Sequence, residues 1–380
     1  MHQDIQEHSA RIAFVVDNNR FGGNERTVLQ MVRDLPRRRY ETGVACLPGG
    51  VFVDRLHDLG IPVIATEAPD TGSMGTGFRL AREFRRFRPD IVHTMGEGAL
   101  AGRIAARLAR TPVIVSGGDP IGGDEATAGR LSWQRIVEQA TSRFVDRFVV
   151  SNRKAVSALA ERYRVSASRV AVIPGGVDIE RYDPSRSRTG AWRTQLGIPS
   201  RAIVVGSIGR LVARKGFREL IRAFASIEKR DVWLVIGGDG EGWEELHGLV
   251  EAFDLKDRVR FTGFVDAVPE LLADLDIFVL PSLNESHPTV LLEAMAMARP
   301  VVASDIAAAS DVITDGVEGK LATAGDVPAL AEAIGLFLGD ATVARRCGRN
   351  ARRKVEQEYT VDRMVRRSAL LYEELLSGDR

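Results

Sequence analysis

Short apolar runs alternate with amphipathic segments along most of this 380-residue chain. The runs have the length and β-branched content of buried parallel strands, and the segments between them repeat apolar residues at helical intervals. This alternation predicts βαβ units, in which helices cover both faces of a parallel sheet. The predicted strands are residues 11–17, 42–47, 62–66, 90–94, 112–116, 147–150, 170–174, 202–207, 232–238, 258–264, 277–280 and 319–323.

A polar segment, residues 185–200, separates two such alternating arrays. One compact core is not expected at this length, so the sequence predicts two domains. We place the first domain at residues 1–180 and the second at residues 181–360. The tail from Val361 to Leu376 carries apolar residues at helical intervals, which predicts a last helix within residues 361–380.

Composition narrows the function classes. The formal net charge is +1, so the chain lacks the basic field expected of a nucleic-acid-binding protein. Cys46 and Cys347 cannot make a disulfide framework, and the six histidines include no close pair that would hold zinc. The first ten residues lack an apolar core and no run of eighteen apolar residues occurs, so we expect no signal peptide, no membrane span and a cytoplasmic location.

Two glutamates flank a predicted loop-to-helix turn in the second array. Pro281 closes the strand at residues 277–280, and Pro288 stands where a helix begins because its fixed φ suits the first turn. Glu285 then lies on the loop and Glu293 lies within the first turns of the helix. Helix N-terminal amides bind anions, and a carboxylate can accept two hydrogen bonds from a ribose diol. Two solvated glutamates on an amphipathic helix are the alternative.

A cationic loop follows the first strand of the second array. Residues 208–216 contain Arg210 and Lys215 beside glycines and precede a predicted helix that begins at Phe217. Arginine can bind a diphosphate with two hydrogen bonds and lysine contacts it as a point charge, so this loop suits a diphosphate. A solvated basic loop is the alternative.

The first predicted strand is followed by a glycine turn that opens a helix. Gly22 and Gly23 let the backbone approach a ligand closely and can present amide groups to an anion. A turn pair without a ligand is the alternative. The turn therefore indicates a second candidate anion site.

Residues 78–88 predict a basic amphipathic helix. Its apolar face holds Leu80, Phe84 and Phe87, and the rest of the surface is largely covered by arginines at positions 79, 82, 85, 86 and 88. Charge runs of this kind are usually solvated faces. The second interpretation is docking to anionic lipid or to a phosphate-bearing acceptor, which implies peripheral contact with an anionic membrane.

Together these motifs resemble the family 4 glycosyltransferases over residues 11–376. The matching stretches are Pro-Ser-Leu-Asn-Glu-Ser-His-Pro at 281–288 with Leu-Leu-Glu-Ala-Met-Ala after it, Arg-Pro-Val-Val-Ala-Ser at 299–304, Gly-Arg and Lys-Gly within 209–216, Gly-Gly-Asn-Glu at 22–25, and Pro-Gly-Gly-Val-Asp at 174–178. The resemblance implies an α/β GT-B fold, in which two Rossmann-like doubly wound domains face each other across a cleft. The first domain would bind the acceptor and the second the nucleotide sugar. The last helix would cross back to the first domain, and a helix of the second domain is the alternative.

The resemblance also assigns two groups of residues. Those with an expected catalytic role are Glu285, Arg210, Lys215 and Asp119. Those expected to contact the donor are Gly22, Gly23, Gly209, Arg210, Lys215, Phe264, Val265, Glu285, His287, Thr289, Val290 and Glu293. Within this second group, Phe264 and Val265 would seat the base and Glu293 would bind the ribose. A purely structural strand end is the alternative for Phe264 and Val265.

The acceptor half departs from the family pattern. Met95 stands where many members have a second histidine after the one at His93, and Gly117-Gly118-Asp119 stands where a histidine follows the next strand. Asp119 is therefore the leading candidate to contact the acceptor or the donor sugar. His93 is interpreted as a packed residue at the end of a strand. Ser286-His287 replaces a glycine-containing pair of the family.

The implied activity is retaining, metal-independent transfer of a sugar from a nucleotide-diphosphate sugar, such as a UDP-sugar, to a hydroxyl acceptor. Cationic side chains would neutralise the departing diphosphate. The expected acceptor is lipid-linked or a small molecule, in polysaccharide, glycolipid or other glycoconjugate biosynthesis. We expect no cofactor beyond the donor, no metal and no nucleic acid, and a location in the cytoplasm at the inner face of the plasma membrane.

Other functions stay open at this point. A nucleotide-sugar epimerase or a phosphorylase would share the two-domain fold, and a non-catalytic nucleotide-sugar binder would explain Met95 and Gly117 as lost chemistry. A dinucleotide-binding oxidoreductase is disfavoured because no Gly-x-Gly-x-x-Gly follows the first strand. Turnover of the donor without any acceptor would favour the epimerase.

Overall fold

The computed structural model describes residues 9–16, 22–65, 74–96, 99–117, 131–187, 189–285 and 287–378. The chain divides into two compact units, residues 1–175 with 362–380, and residues 176–361. The first boundary lies five residues before the predicted one, after Gly175 rather than after residue 180. The reason is that the Val177 N–H donates to the Tyr359 carbonyl at 2.8 Å and the Val361 N–H donates to the Val177 carbonyl at 3.1 Å. These bonds join the segment after Gly175 to the end of the second unit.

The first unit is a parallel sheet whose strands are connected by helices. Its strands are β1 (Ala10–Val16), β2 (Tyr40–Cys46), β3 (Val63–Ala65), β4 (Ile91–Met95), β5 (Val113–Gly117), β6 (Arg147–Val150) and β7 (Val170–Val172). Its helices are α1 (Gly23–Asp34), α2 (Val51–Asp58), α3 (Met74–Phe87), α4 (Ala99–Ala109), α5 (Leu131–Ser142), α6 (Ala155–Tyr163) and the last helix, α15 (Val361–Ser377), of which Val361 falls in the second unit. The sheet order is β3-β2-β1-β4-β5-β6-β7, so the chain reverses its direction of growth between β1 and β4.

The strands of this sheet are apolar on both faces because helices cover both. Ile12, Ala13 and Phe14, which point alternately to the two faces of β1, are all fully buried. On α3, Leu80 and Phe84 are buried as the helical periodicity predicts, while Phe78 remains 59% exposed. The near-continuous apolar runs in the sequence therefore reflect two-sided burial.

The last helix, α15, belongs to the first unit from Asp362 onward. The Tyr40 hydroxyl donates to the Ala369 carbonyl at 3.3 Å, and Arg147 donates to Glu374 at 2.6 Å. Tyr372 is fully buried and forms a hydrogen bond of 2.6 Å with His93 Nδ1. The tail is thus attached through specific polar contacts as well as through its apolar face.

The second unit is another parallel sheet with helices between its strands. Its strands are β8 (Ile203–Ile208), β9 (Val232–Gly237), β10 (Val259–Phe261), β11 (Ile277–Leu280), β12 (Val301–Ser304) and β13 (Gly319–Ala322). Its helices are α7 (Ala191–Gln195), α8 (Phe217–Ala225), α9 (Trp243–Ala252), α10 (Val268–Asp274), α11 (Thr289–Ala296), α12 (Ala307–Ser310), α13 (Val327–Gly339) and α14 (Ala341–Glu358). The sheet order is β10-β9-β8-β11-β12-β13. The order reverses between β8 and β11, and ligands of open α/β sheets bind beyond the carboxyl ends of strands at such a point.

No single helix in the described ranges is long and apolar enough to cross a membrane. Helices α13 and α14 together have the length and apolar content of a membrane span, but the chain bends by 103° between them. Leu330, Ile334 and Phe337 of α13 are buried in the core of the second unit.

Candidate functional site

Three loops meet at the carboxyl edge of the second sheet, where its order reverses. The loop after β8, residues 209–216, is bonded to the turn after β9, since the Gly209 N–H donates to the Gly237 carbonyl and the Leu211 N–H to the Asp239 carbonyl, both at 2.9 Å. The loop after β11 joins them because the Leu283 N–H donates to the Arg214 carbonyl at 2.8 Å. The backbone alone therefore holds the predicted cationic loop beside the predicted glutamate loop.

Gly216 allows the closest approach between these loops. It has φ +69°, in the left-handed region, and a Cβ at this position would lie 1.9 Å from the Pro281 carbonyl oxygen. Gly238 makes a similar approach, with a Cβ position 1.9 Å from the Gly209 carbonyl oxygen. A residue with a Cβ fits neither place unless the backbone moves, so the two glycines set the spacing of the site.

Lys215, Arg214 and Glu285 form a charged cluster where the loops meet. The Lys215 ammonium contacts Glu285 Oε1, and an Arg214 guanidinium nitrogen lies 3.6 Å from Glu285 Oε2. The Lys215 and Glu285 side chains are only 14% and 7% exposed. The sequence predicted Lys215 and Glu285 as site residues, but it did not predict that they contact each other, and it assigned no role to Arg214.

Arg210 and Gly209 lie at the start of the same loop. The Arg210 side chain is exposed, whereas Leu211 next to it is fully buried in the core. Gly209 has room for a Cβ, because the nearest side-chain atom would be 3.6 Å away. Gly209 is therefore not needed for close packing, and its N–H is already bonded to the Gly237 carbonyl, so its predicted contact with the donor stays a prediction.

Glu293 lies inside α11 and is 4% exposed. Its Oε1 accepts a hydrogen bond of 2.7 Å from the hydroxyl of Tyr182, which is itself 4% exposed. The alternative of a solvated glutamate is wrong for Glu293 and for Glu285, since both are buried. The contact with Tyr182 was not predicted, because 111 residues separate the pair in sequence.

The first turn of α11 holds the donor-contact candidates His287, Thr289 and Val290. The helix begins at Thr289, directly after Pro288, as the proline predicted. The Thr289 N–H donates to the His287 carbonyl at 2.9 Å and the Leu291 N–H to the Pro288 carbonyl at 3.0 Å. Fewer amides of this turn are therefore available to an anion than the sequence suggested.

His287 is half-buried, and burial lowers its pKa to about 4. The imidazole is therefore neutral near pH 7 and adds no positive charge to the cluster. The His287 side chain could therefore contact the sugar donor through a hydrogen bond but not through a charge.

Phe264 and Val265, predicted to seat the base, differ sharply in exposure. Phe264 is 74% exposed, while Val265 is 6% exposed and belongs to the core. The Val265 side chain cannot contact a base without leaving that core, so of the two only the Phe264 ring is free to stack on one.

The remaining candidates lie in the first unit. The Gly22 N–H donates to Glu25 Oε2 at 2.9 Å, and Glu25 is 2% exposed, so a protein carboxylate already occupies the turn that was predicted to present amides to an anion. His93 is 6% exposed, and burial lowers its pKa to about 4, consistent with a packed residue. Asp119 lies outside the described residues, and its predicted role stays a prediction.

Family models match both halves of the chain. The model described as Glycosyltransferase Family 4 matches residues 21–181, and that described as Glycosyl transferases group 1 matches residues 189–354. The chain is a family 4 glycosyltransferase. The first match covers strands β2 to β7 of the first sheet, and the second covers the loops of the charged cluster.

Curated relatives and solved structures agree with this membership. The glycosyltransferase is 27% identical to the UDP-Gal:α-D-GlcNAc-diphosphoundecaprenol α-1,3-galactosyltransferase of Escherichia coli, over 92% of this chain and 93% of the relative. It is 33% identical to the D-inositol 3-phosphate glycosyltransferase of Salinispora tropica, over 67% of this chain and 55% of that protein. Its structure is similar to that of Anabaena HepE in complex with UDP and glucose, with a TM-score of 0.84 and 25% identity over 96% of this chain and all of HepE. The predicted GT-B class and the transferase function are thereby confirmed, and nothing favours the epimerase.

Proposed function

We propose that this glycosyltransferase moves a sugar from a UDP-sugar to a hydroxyl acceptor, with retention of the anomeric configuration and without a metal ion. The observation that carries the proposal is the cluster of Lys215, Arg214 and Glu285 at the switch point of the second sheet. Two cations and a buried carboxylate side by side suit a site that must bind both a diphosphate and the hydroxyls of a sugar.

The uridine base is supported by the relatives alone. HepE was solved with UDP and glucose, and the name of the Escherichia coli relative specifies UDP-galactose. The exposed Phe264 ring is compatible with stacking on a pyrimidine. A thermal-shift comparison of UDP, GDP, ADP and TDP tests this part, because only a ligand of the folded protein raises the melting temperature. A larger shift with a purine nucleotide would refute it.

The chemistry follows from charge. As the anomeric bond breaks, the diphosphate gains negative charge, which the side chains of Arg210 and Lys215 would neutralise. Lys215 contacts Glu285, so a bound donor would place its phosphates against the ammonium and its sugar against the carboxylate. Glu285 would then orient the sugar, and the departing phosphate would accept the acceptor proton on the same face.

Two measurements test the mechanism. Proton NMR of the first product formed should show the anomeric configuration of the donor, and an inverted product would refute retention. Activity should survive EDTA treatment, because the side-chain cations supply the neutralising charge. Activity lost with EDTA and restored with manganese would refute metal independence.

We further propose that the acceptor is lipid-linked and that the protein contacts the anionic inner face of the plasma membrane through α3. Phe78 is 59% exposed on this helix, and Arg79 and Arg82 are exposed beside it, so an apolar side chain is flanked by cations. The helix also carries Glu83, which pairs with Arg86 at 3.1 Å, leaving a net positive outer face. A small-molecule hydroxyl acceptor would not require this surface.

Vesicle sedimentation tests the membrane contact. The double substitution Arg79→Gln and Arg82→Gln should weaken binding to anionic vesicles about tenfold or more, since each cation near such a surface contributes about 1 kcal/mol. The matched control, Arg345→Gln with Arg346→Gln on α14, removes the same charge from exposed positions in the second unit and should leave binding unchanged. Equal loss in both variants would show a general charge effect and refute docking through α3.

A further inference from the structure

The hydrogen bond between Tyr182 and Glu293 connects the start of the second unit to α11. The Tyr182 hydroxyl donates to Glu293 Oε1 at 2.7 Å, and both side chains are 4% exposed. A carboxylate removed from water requires hydrogen-bond donors, and a neutral hydroxyl supplies one without cancelling its charge. The Tyr182 hydroxyl therefore donates to the carboxylate that the donor-site assignment gives to the ribose.

Tyr182 is itself held by the chain around it. Its backbone N–H donates to the Asp178 carbonyl at 2.9 Å, and the Asp178 carboxylate accepts from the amides of residues 180 and 181 at 3.2 and 3.1 Å. Arg352 donates to the Tyr182 carbonyl at 3.1 Å and to the Ala296 carbonyl, at the end of α11, at 2.6 Å. One guanidinium thus joins the tyrosine and the helix that carries Glu293.

We propose that Tyr182 is a positioning residue for the donor ribose. The inference rests on the proposed function, in which Glu293 accepts hydrogen bonds from the ribose diol. A carboxylate offers about four acceptor sites, so one hydroxyl donor can fix its rotamer and still leave acceptor capacity for the sugar. Tyr182 acts through Glu293 and does not itself contact the donor.

The test is the ribose dependence of binding in Tyr182→Phe. We compare the dissociation constants of UDP and of its 2′,3′-dideoxy analogue by calorimetry in the wild type and in the variant. The wild type should prefer UDP, and Tyr182→Phe should reduce that preference about tenfold, the effect of one hydrogen bond to a charged group. Affinity for the dideoxy analogue and for inorganic pyrophosphate should not change, because neither carries the diol.

Two further variants separate positioning from general stability. Tyr359→Phe removes the hydroxyl of another buried tyrosine of the same unit, which donates to the Asp311 carbonyl at 3.5 Å, and should leave the ribose preference intact. In a Glu293→Gln background, Tyr182→Phe should have no additional effect on that preference, since both changes act on one contact. A full additional loss there would show that Tyr182 acts elsewhere and overturn the proposal.

The remaining outcomes are distinct from one another. If Tyr182→Phe weakens UDP, the dideoxy analogue and pyrophosphate equally, Tyr182 only supports the fold and the positioning role is wrong. A ribose preference like that of the wild type overturns it as well. If the wild type binds no nucleoside diphosphate, the donor-site assignment fails, and this inference fails with it. In steady-state kinetics the variant should show a raised donor KM with an unchanged kcat, and a lowered kcat alone would contradict the proposal.

Discussion

The substitution Gly216→Ala tests the geometry of the charged cluster. At φ +69° an alanine carries the cost of the left-handed conformation, about 1–2 kcal/mol, and its Cβ would lie 1.9 Å from the Pro281 carbonyl oxygen. Relieving that overlap requires the loops after β8 and β11 to move apart, which costs about 1–3 kcal/mol more by analogy with overpacked cores. We expect the free energy of unfolding of the second unit to fall by about 2–5 kcal/mol.

Two control variants separate the cost of the left-handed conformation from the cost of the overlap with Pro281. Gly263→Ala has nearly the same backbone conformation, φ +71°, but nothing lies within 4 Å of its Cβ, so it should cost only about 1–2 kcal/mol. Gly248→Ala lies inside α9 with open space around it and should stabilise by about 0.5–1 kcal/mol. The difference between Gly216→Ala and Gly263→Ala isolates the contact with Pro281.

Urea unfolding followed by tryptophan fluorescence suits this measurement. Three of the four tryptophans, at positions 192, 233 and 243, belong to the second unit, so the signal reports mainly on that unit. Because the substitution moves Lys215 relative to Glu285, UDP affinity should also fall, by about 10- to 100-fold. If Gly216→Ala and Gly263→Ala unfold within about 0.5 kcal/mol of each other and bind UDP alike, the close approach of the two loops is wrong.

Three further predictions concern other parts of the molecule. Burial lowers the pKa of His93 from 6.5 to about 4, so the unfolded chain takes up a proton first as the pH falls. The free energy of unfolding should therefore drop by about 3 kcal/mol between pH 6.5 and 4. In urea titrations a His93→Gln variant should lose this part of the pH dependence. Tyr372→Phe removes the hydrogen-bond partner of the buried His93 and should cost about 1–3 kcal/mol in the same assay, whereas Leu370→Ala, at a position 59% exposed on the same helix, should change stability by less than about 0.5 kcal/mol. In initial-rate kinetics Glu293→Ala should raise the donor KM strongly and Lys215→Ala should mainly lower kcat, and unchanged values in both would remove the donor-site assignment.

Much of the fold was predictable because parallel strands buried on both faces leave near-continuous apolar runs in the sequence. Pro281 and Pro288 located the loop between β11 and α11, since proline closes a strand and opens a helix.

Helix α14 was not predicted. Its buried positions include small residues such as Ala344 and Gly348, so hydropathy does not reveal the packed face. A Cβ at Gly348 would lie 2.3 Å from the Ala298 carbonyl oxygen.

The candidate site was predictable in its residues more than in its contacts. Charge and glycine content singled out Lys215 and Glu285, but their pairing spans 70 residues and depends on β8 lying beside β11. The order of strands in a sheet is set by tertiary packing and is not visible in local periodicity. The contact of Tyr182 with Glu293 was missed for the same reason.

The central claim is that the second unit binds a nucleoside diphosphate between the loop of Lys215 and the start of α11. The most direct test is a crystal structure of the protein with UDP. It should show diphosphate oxygens within hydrogen-bond distance of Lys215 or Arg210 and the ribose hydroxyls at Glu293. UDP bound in the second unit without contact to these side chains, or bound only elsewhere, would contradict the account.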